Sequence, residues 1–128
     1  MKVHWILSAG LALMASGAVA GCTGGQSTAP YNVAVAGSPQ HGRALLSQYG
    51  CGACHIIPGV HAARGLVGPP LYFWSRRTMI AGELPNTPEN LERWIENPPA
   101  IEPGTAMPNL GVTPAEARDM TAYLYTLQ

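Results

Sequence analysis

The sequence predicts an all-α domain, and three observations predict it. Three segments each open on a Ser or Thr followed by proline and continue with apolar residues at helical spacing. No segment alternates apolar and polar residues long enough to read as a half-buried strand. The stretches between the helical segments are rich in the chain's 12 Pro and 15 Gly, so they read as turns and loops. A chain of 128 residues holds one modest domain, which excludes a multidomain enzyme.

Residues 1–21 stand apart from that domain. Lys2 gives a short positive start and Trp5 to Ala20 forms a 16-residue apolar stretch, the pattern of a secretory signal peptide. A bilayer-spanning helix requires about 20 apolar residues, so a retained anchor is the less favoured alternative. Val19-Ala20-Gly21-Cys22 is similar to the bacterial lipoprotein signal, in which the cysteine becomes the lipidated first residue of the mature chain. Ala18-Val19-Ala20 also suits ordinary cleavage, but that would leave Cys22 as a lone exported thiol. Lipidation gives the thiol a function, since each buried CH₂ of an acyl chain contributes about 0.8 kcal/mol to membrane attachment. The expectation is an exported protein, lipid-anchored through Cys22 to the outer face of the bacterial cell membrane.

Residues 22–37 read as the lipidated N-terminus and a flexible tether. Thr23 to Pro30 is small and polar with nothing to bury, whereas Val33-Ala34-Val35 is a candidate extended arm that packs on the domain. The domain proper is expected over 38–128. Ser38 and Pro39 cap a first helix that carries Ala44, Leu45, Leu46 and Tyr49 before Gly50. Thr87-Pro88 opens a second with Leu91, Trp94 and Ile95 on one face, stopped at Asn97 by two prolines. Thr113-Pro114-Ala115-Glu116 is a capping box for a third, with Met120, Tyr123, Leu124 and Leu127 on one stripe.

Charge narrows the partners. Charged residues are 11% of the chain and cancel, leaving no basic surface to hold a nucleic-acid backbone. Loss of residues 1–21 removes Lys2, the one lysine, and leaves six Arg against seven acidic residues, so docking through a ring of lysines is not expected. Three short helices also bury little surface for a domain of this length, and something further should fill its core.

Cys51-Gly52-Ala53-Cys54-His55 supplies a candidate. The C-x-x-C-H pattern attaches c-type haem: two thiols add to the porphyrin vinyl groups, and the adjacent imidazole is placed to ligate the iron. A thioredoxin-type dithiol would sit in a βαβ pattern, which is absent. Structural zinc would need a second ligand pair at matching spacing, also absent. One covalently attached haem c is therefore expected, held by Cys51 and Cys54 with His55 as iron ligand.

From Gly42 to Leu127 the chain resembles the class I cytochromes c. Gly42-Arg43-Ala44-Leu45-Leu46 is similar to the family's N-terminal helix, where a glycine permits close crossing with the C-terminal helix. Gly68-Pro69-Pro70-Leu71 resembles the family's G-P-x-L turn, which implies that the Pro69 carbonyl accepts the Nδ1 hydrogen of His55. Gly104-Thr105-Ala106-Met107-Pro108 resembles the loop presenting the distal methionine, which implies Met107 as second axial ligand. Met79 and Met120 read as core filler, and His41 and His61 as solvated. The resemblance further implies haem propionate contacts from Arg77, with its neighbour Arg76 and the indole of Trp94 as further candidates.

Within that family the stretch from Ser75 through Thr87-Pro88-Glu89-Asn90-Leu91 to Pro108 looks most like the cytochrome c domain of bacterial haem–copper oxidase subunit II, here standing alone on a lipid tether. The resemblance implies three main helices and loops wrapped around one haem. It also implies a respiratory single-electron carrier whose partners are a terminal oxidase and an upstream cytochrome c reductase or carrier. No nucleic acid, no small-molecule substrate and no catalytic residue are expected. The alternative is a haem-based sensor or peroxidase-like enzyme, which would need a labile distal ligand in place of Met107.

Overall fold

Each of the three long helices begins where a hydroxyl can satisfy the backbone N–H groups that a helix start leaves orphaned. In the computed structural model, which describes residues 33–128, α1 spans Pro39–Gln48 and the Ser38 hydroxyl accepts from the His41 N–H at 3.3 Å. α2 spans Pro88–Glu96, and the Thr87 hydroxyl accepts from the Asn90 N–H, also at 3.3 Å. A single turn, α3 (Pro98–Ile101), follows Asn97. α4 spans Pro114–Leu124 behind a complete capping box: Thr113 Oγ1 accepts the Glu116 N–H, and Glu116 Oε2 accepts the Thr113 N–H at 3.0 Å. The Thr113 hydroxyl and N–H hold the Glu116 carboxyl below its ordinary range. The signal segment, Cys22 and residues 23–32 of the tether lie outside the described residues.

Two details depart from the sequence reading. A hairpin is present, with β1 (Met79–Ile80) antiparallel to β2 (Leu84–Pro85) and Ile80 opposite Leu84. Two residues per strand are too few to print an alternating pattern. Met79 was expected in the core but is 44% exposed, whereas Ile80 is buried, because successive side chains of a strand point to opposite faces. α3 is a second addition, one turn built on the two prolines that end α2.

The architecture rests on α1 crossing α4, with α2 packed against α4 as well. At the crossing, a Cβ on Gly42 would collide with the backbone carbonyl of Asp119 and lie 2.8 Å from the Met120 nitrogen. The glycine is thus what permits the approach. Leu45 and Leu46 from α1, Leu91 and Ile95 from α2, and Met120 and Leu124 from α4 are all buried. Each such side chain contributes about 1.5–3 kcal/mol by leaving water.

Polar ties fix the same crossing. Asp119 accepts the Ser38 N–H at 2.7 Å and pairs with His41 Nδ1 at 2.7 Å, so His41 is bound on the surface and not merely solvated. The Tyr49 hydroxyl donates to Glu116 at 2.8 Å, a bond that pushes the phenol pKa up. At the N-terminal edge Val35 is half-buried against the core, in keeping with an extended arm.

Candidate haem site

A cavity of about 350 Å³ opens between the helices, and its wall is mostly apolar. Leu46, Leu91, Ile95, Met120 and Leu124 line its helical side. These are the inward stripes that the sequence marks as core, so the helices present their apolar faces to the cavity as well as to one another.

The segment after α1 brings Cys51, Cys54 and His55 to the same wall. Cys51–Ala53 forms one 3₁₀ turn, and the N–H groups of Cys54 and His55 both donate to the Cys51 carbonyl, at 3.2 and 3.0 Å. This tight turn gathers the two sulfurs and the imidazole at one edge. Neither cysteine is in a disulfide, and burial pushes the Cys51 thiol pKa up. Among the described residues no group of three or more His, Cys, Asp or Glu side chains is placed to hold a metal ion, which leaves structural zinc without a ligand set there.

The following loop is stitched back onto this turn. Gly65 N–H donates to the Gly52 carbonyl at 3.0 Å, and Gly68 N–H to the Cys54 carbonyl at 2.8 Å. Gly68 consequently lies flat on the His55 imidazole, where a Cβ would overlap the ring. His55 Nδ1 is 2.8 Å from the Pro69 carbonyl oxygen. A carbonyl only accepts, so Nδ1 carries the hydrogen and a neutral ring keeps the Nε2 lone pair for a metal.

Met107 reaches the wall from a loop with its own ties. Glu102 Oε1 accepts the Gly104 N–H at 2.9 Å, the Glu102 carbonyl accepts the Thr105 N–H at 3.0 Å, and Thr105 Oγ1 accepts the Met107 N–H at 3.2 Å. Met107 is half-buried against the core cluster.

The basic pair divides. Arg77 lines the cavity, half-buried, and donates to the carbonyl oxygens of Pro70 and Tyr72. Desolvation lowers its pKa, the mark of a cation drawn away from water. Arg76 is exposed and off the cavity wall, its guanidinium 5.4 Å from the Phe73 ring centroid. The 3₁₀ turn at Trp74–Arg76 sends the neighbours to different sides, so of the two candidate arginines it is Arg77 that stands on the wall and Arg76 that does not. Trp94 lines the wall from α2, and His41 and His61 are not on it.

Sequence reasoning missed Trp74. It is 5% exposed and on the wall, and its indole nitrogen is buried without a hydrogen-bond partner. Nothing in the local pattern separates it from an ordinary core tryptophan.

These residues fit a haem. Among the described residues an apolar slot, two thiols and an imidazole at one edge, the thioethers of Met79, Met107 and Met120 on the wall, one guanidinium and no carboxylate suit a flat apolar macrocycle that carries iron and anionic propionates. Fold and site together are suited to holding a haem. The sequence profile of the family Cytochrome c matches residues 39–128, and the chain belongs to that family, with the all-α architecture of class I. It is also 33% identical over 88 residues to the cytochrome c oxidase subunit 2 of Alkalihalophilus pseudofirmus. That match covers 68% of this chain and 25% of the relative, so the chain corresponds to about a quarter of that protein.

Proposed function

We propose that the chain is a membrane-tethered mono-haem cytochrome, a single-electron carrier that donates to a terminal cytochrome c oxidase or forms part of one. Cys51 and Cys54 attach the haem by thioether bonds, His55 Nε2 and Met107 Sδ hold the iron, and the Pro69 carbonyl fixes the His55 ring. Arg77 meets the haem carboxylates. The observation that carries this reading is the 2.8 Å contact between His55 Nδ1 and Pro69, which leaves Nε2 free on a wall that also holds Met107.

When bound, the group supplies a one-electron change between ferric and ferrous iron. The chain's own residues keep the pocket apolar and exclude water, and His55 Nε2 and Met107 Sδ would be the protein ligands that hold the iron. With both ligands in place, the iron would be left no open position for a small-molecule substrate.

The oxidase assignment is supported by the likeness to a cytochrome c oxidase subunit 2. Membrane attachment is assigned to Cys22 on the lipoprotein-like sequence around it. Among the described residues no helix is long and apolar enough to cross a membrane. A shared membrane raises the effective concentration of carrier and partner.

The rim of the cavity suits a partner that docks without charge steering. Leu66 and Val67, 83% and 75% exposed, sit on the loop tied to Cys54, and Pro108 and Leu110 lie on the Met107 side. Reduction by an upstream cytochrome should therefore depend weakly on ionic strength. The deciding experiment is optical. The oxidised protein should show the methionine–iron charge-transfer band, and the reduced protein should not bind CO. Loss of that band together with CO binding would assign the chain to the sensor or peroxidase-like class.

A further inference from the structure

Two buried side-chain polar atoms among the described residues have no hydrogen-bond partner, Thr121 Oγ1 and Trp74 Nε1. A threonine hydroxyl inside a helix can turn to a backbone carbonyl of the preceding turn. An indole has no such freedom, because its N–H is a donor only and points wherever the ring is held.

The turn that carries Trp74 is held from several sides, and the ring itself is buried. Its backbone carbonyl accepts from the Arg77 N–H and from Asn86 Nδ2, both at 3.0 Å. Asn86 Nδ2 also donates to the Arg77 carbonyl at 3.0 Å, and Asn86 Oδ1 accepts from the Tyr125 hydroxyl at 3.1 Å. The N–H and hydroxyl of Ser75 donate to the Leu127 carbonyl at 3.2 and 3.1 Å. The turn carrying Trp74 is thus clamped by the asparagine and by the C-terminal strand of chain after α4. It cannot swing to find an acceptor elsewhere.

What the ring faces is informative. Trp74 and Arg77 share the cavity wall, with the guanidinium carbon 5.0 Å from the indole centroid. Among the described residues Arg77 is the one guanidinium or ammonium on that wall, and no carboxylate lines it. A buried donor without an acceptor stands beside a half-buried cation with no anion on the wall. One carboxylate answers both.

We infer that the Trp74 indole N–H donates a hydrogen bond to the haem carboxylate that Arg77 meets, so that stacked indole and guanidinium form a single anion seat. The inference rests on the haem reading and adds to it the donor that orients one propionate. Of the two tryptophans on the wall, Trp74 is the one whose nitrogen is buried without an acceptor.

The test uses the haem-loaded full chain. Trp74→Phe keeps an apolar ring and deletes the N–H. One of the two propionate-bending bands in the resonance Raman spectrum should move, and its shift on exchange into deuterated water should shrink. A second measurement needs no variant: in the reduced native protein the Trp74 indole proton should show a nuclear Overhauser contact to propionate methylene protons. Raman bands unmoved in Trp74→Phe, or an indole proton without that contact, would leave the N–H to a buried water and overturn the inference. Failure to attach haem at all would instead overturn the reading beneath it, and a pyridine haemochrome spectrum reports that separately.

Discussion

Gly42→Ala sets two effects of opposite sign against each other. In a helix interior alanine is favoured over glycine by about 1 kcal/mol, so propensity alone predicts stabilisation. At this position, however, the added methyl would overlap the Asp119 carbonyl and lie 2.8 Å from the Met120 nitrogen, and both obstacles are backbone. No rotamer change relieves them, so α1 and α4 must separate. Overpacking of this kind costs about 1–3 kcal/mol. Separation also strains the Ser38–Asp119 and Tyr49–Glu116 hydrogen bonds. The net expectation is a loss of about 1–3 kcal/mol. At about 4–8 °C per kcal/mol for a domain this small, the midpoint should fall by about 5–20 °C. Thermal unfolding of the haem-loaded protein, followed by far-ultraviolet circular dichroism, measures it. Ala44→Gly, at an exposed position of the same helix, isolates the propensity effect and should cost about 1 kcal/mol. A Gly42→Ala midpoint equal to or above that of the native protein would refute the close crossing.

Three further outcomes follow from the geometry. Met107→Ala should abolish the methionine–iron charge-transfer band and let the reduced protein bind CO stoichiometrically, while the helical circular dichroism is kept. Tyr125→Phe removes the hydroxyl that donates to Asn86, and urea unfolding should show a loss of about 1 kcal/mol; the hydroxyl itself, pushed up to about 12 by burial, stays protonated through neutral pH. The Ser38 N–H, with His41 beside it, holds the Asp119 carboxyl below its usual 3.8. A carboxyl depressed in the folded state contributes stability above its unfolded pKa and loses it as pH falls through the folded value. Asp119→Asn should therefore be less stable than the native protein at neutral pH, and the gap between their denaturation midpoints should close below about pH 4.

Local signals in the sequence account for the helices. Ser38-Pro39, Thr87-Pro88 and the Thr113–Glu116 box each place a hydroxyl where a helix start needs one, and the helices begin there. The segments that meet at the cavity wall carry local signals too. Cys51, Cys54 and His55 are set by spacing within one turn, and the Pro69 and Met107 loops carry short runs that can be compared directly. The features not read depend on tertiary placement. Arg76 and Arg77 are adjacent and chemically identical, and only the turn at Trp74–Arg76 decides which of them faces the cavity. Met79 was misplaced because a two-residue strand leaves no periodicity to show which face is inward. Trp74 was passed over because its importance lies in a missing partner, which no sequence displays.

Covalent haem at Cys51 and Cys54 is the claim on which the rest depends, and the intact mass of the purified protein under denaturing conditions tests it most directly. The account predicts a mass equal to the processed polypeptide plus one haem, with a further acyl increment where Cys22 is lipidated. Cys51→Ala with Cys54→Ala should lose the haem increment alone. A native protein whose mass is that of the bare polypeptide, with both thiols free to react, would contradict it.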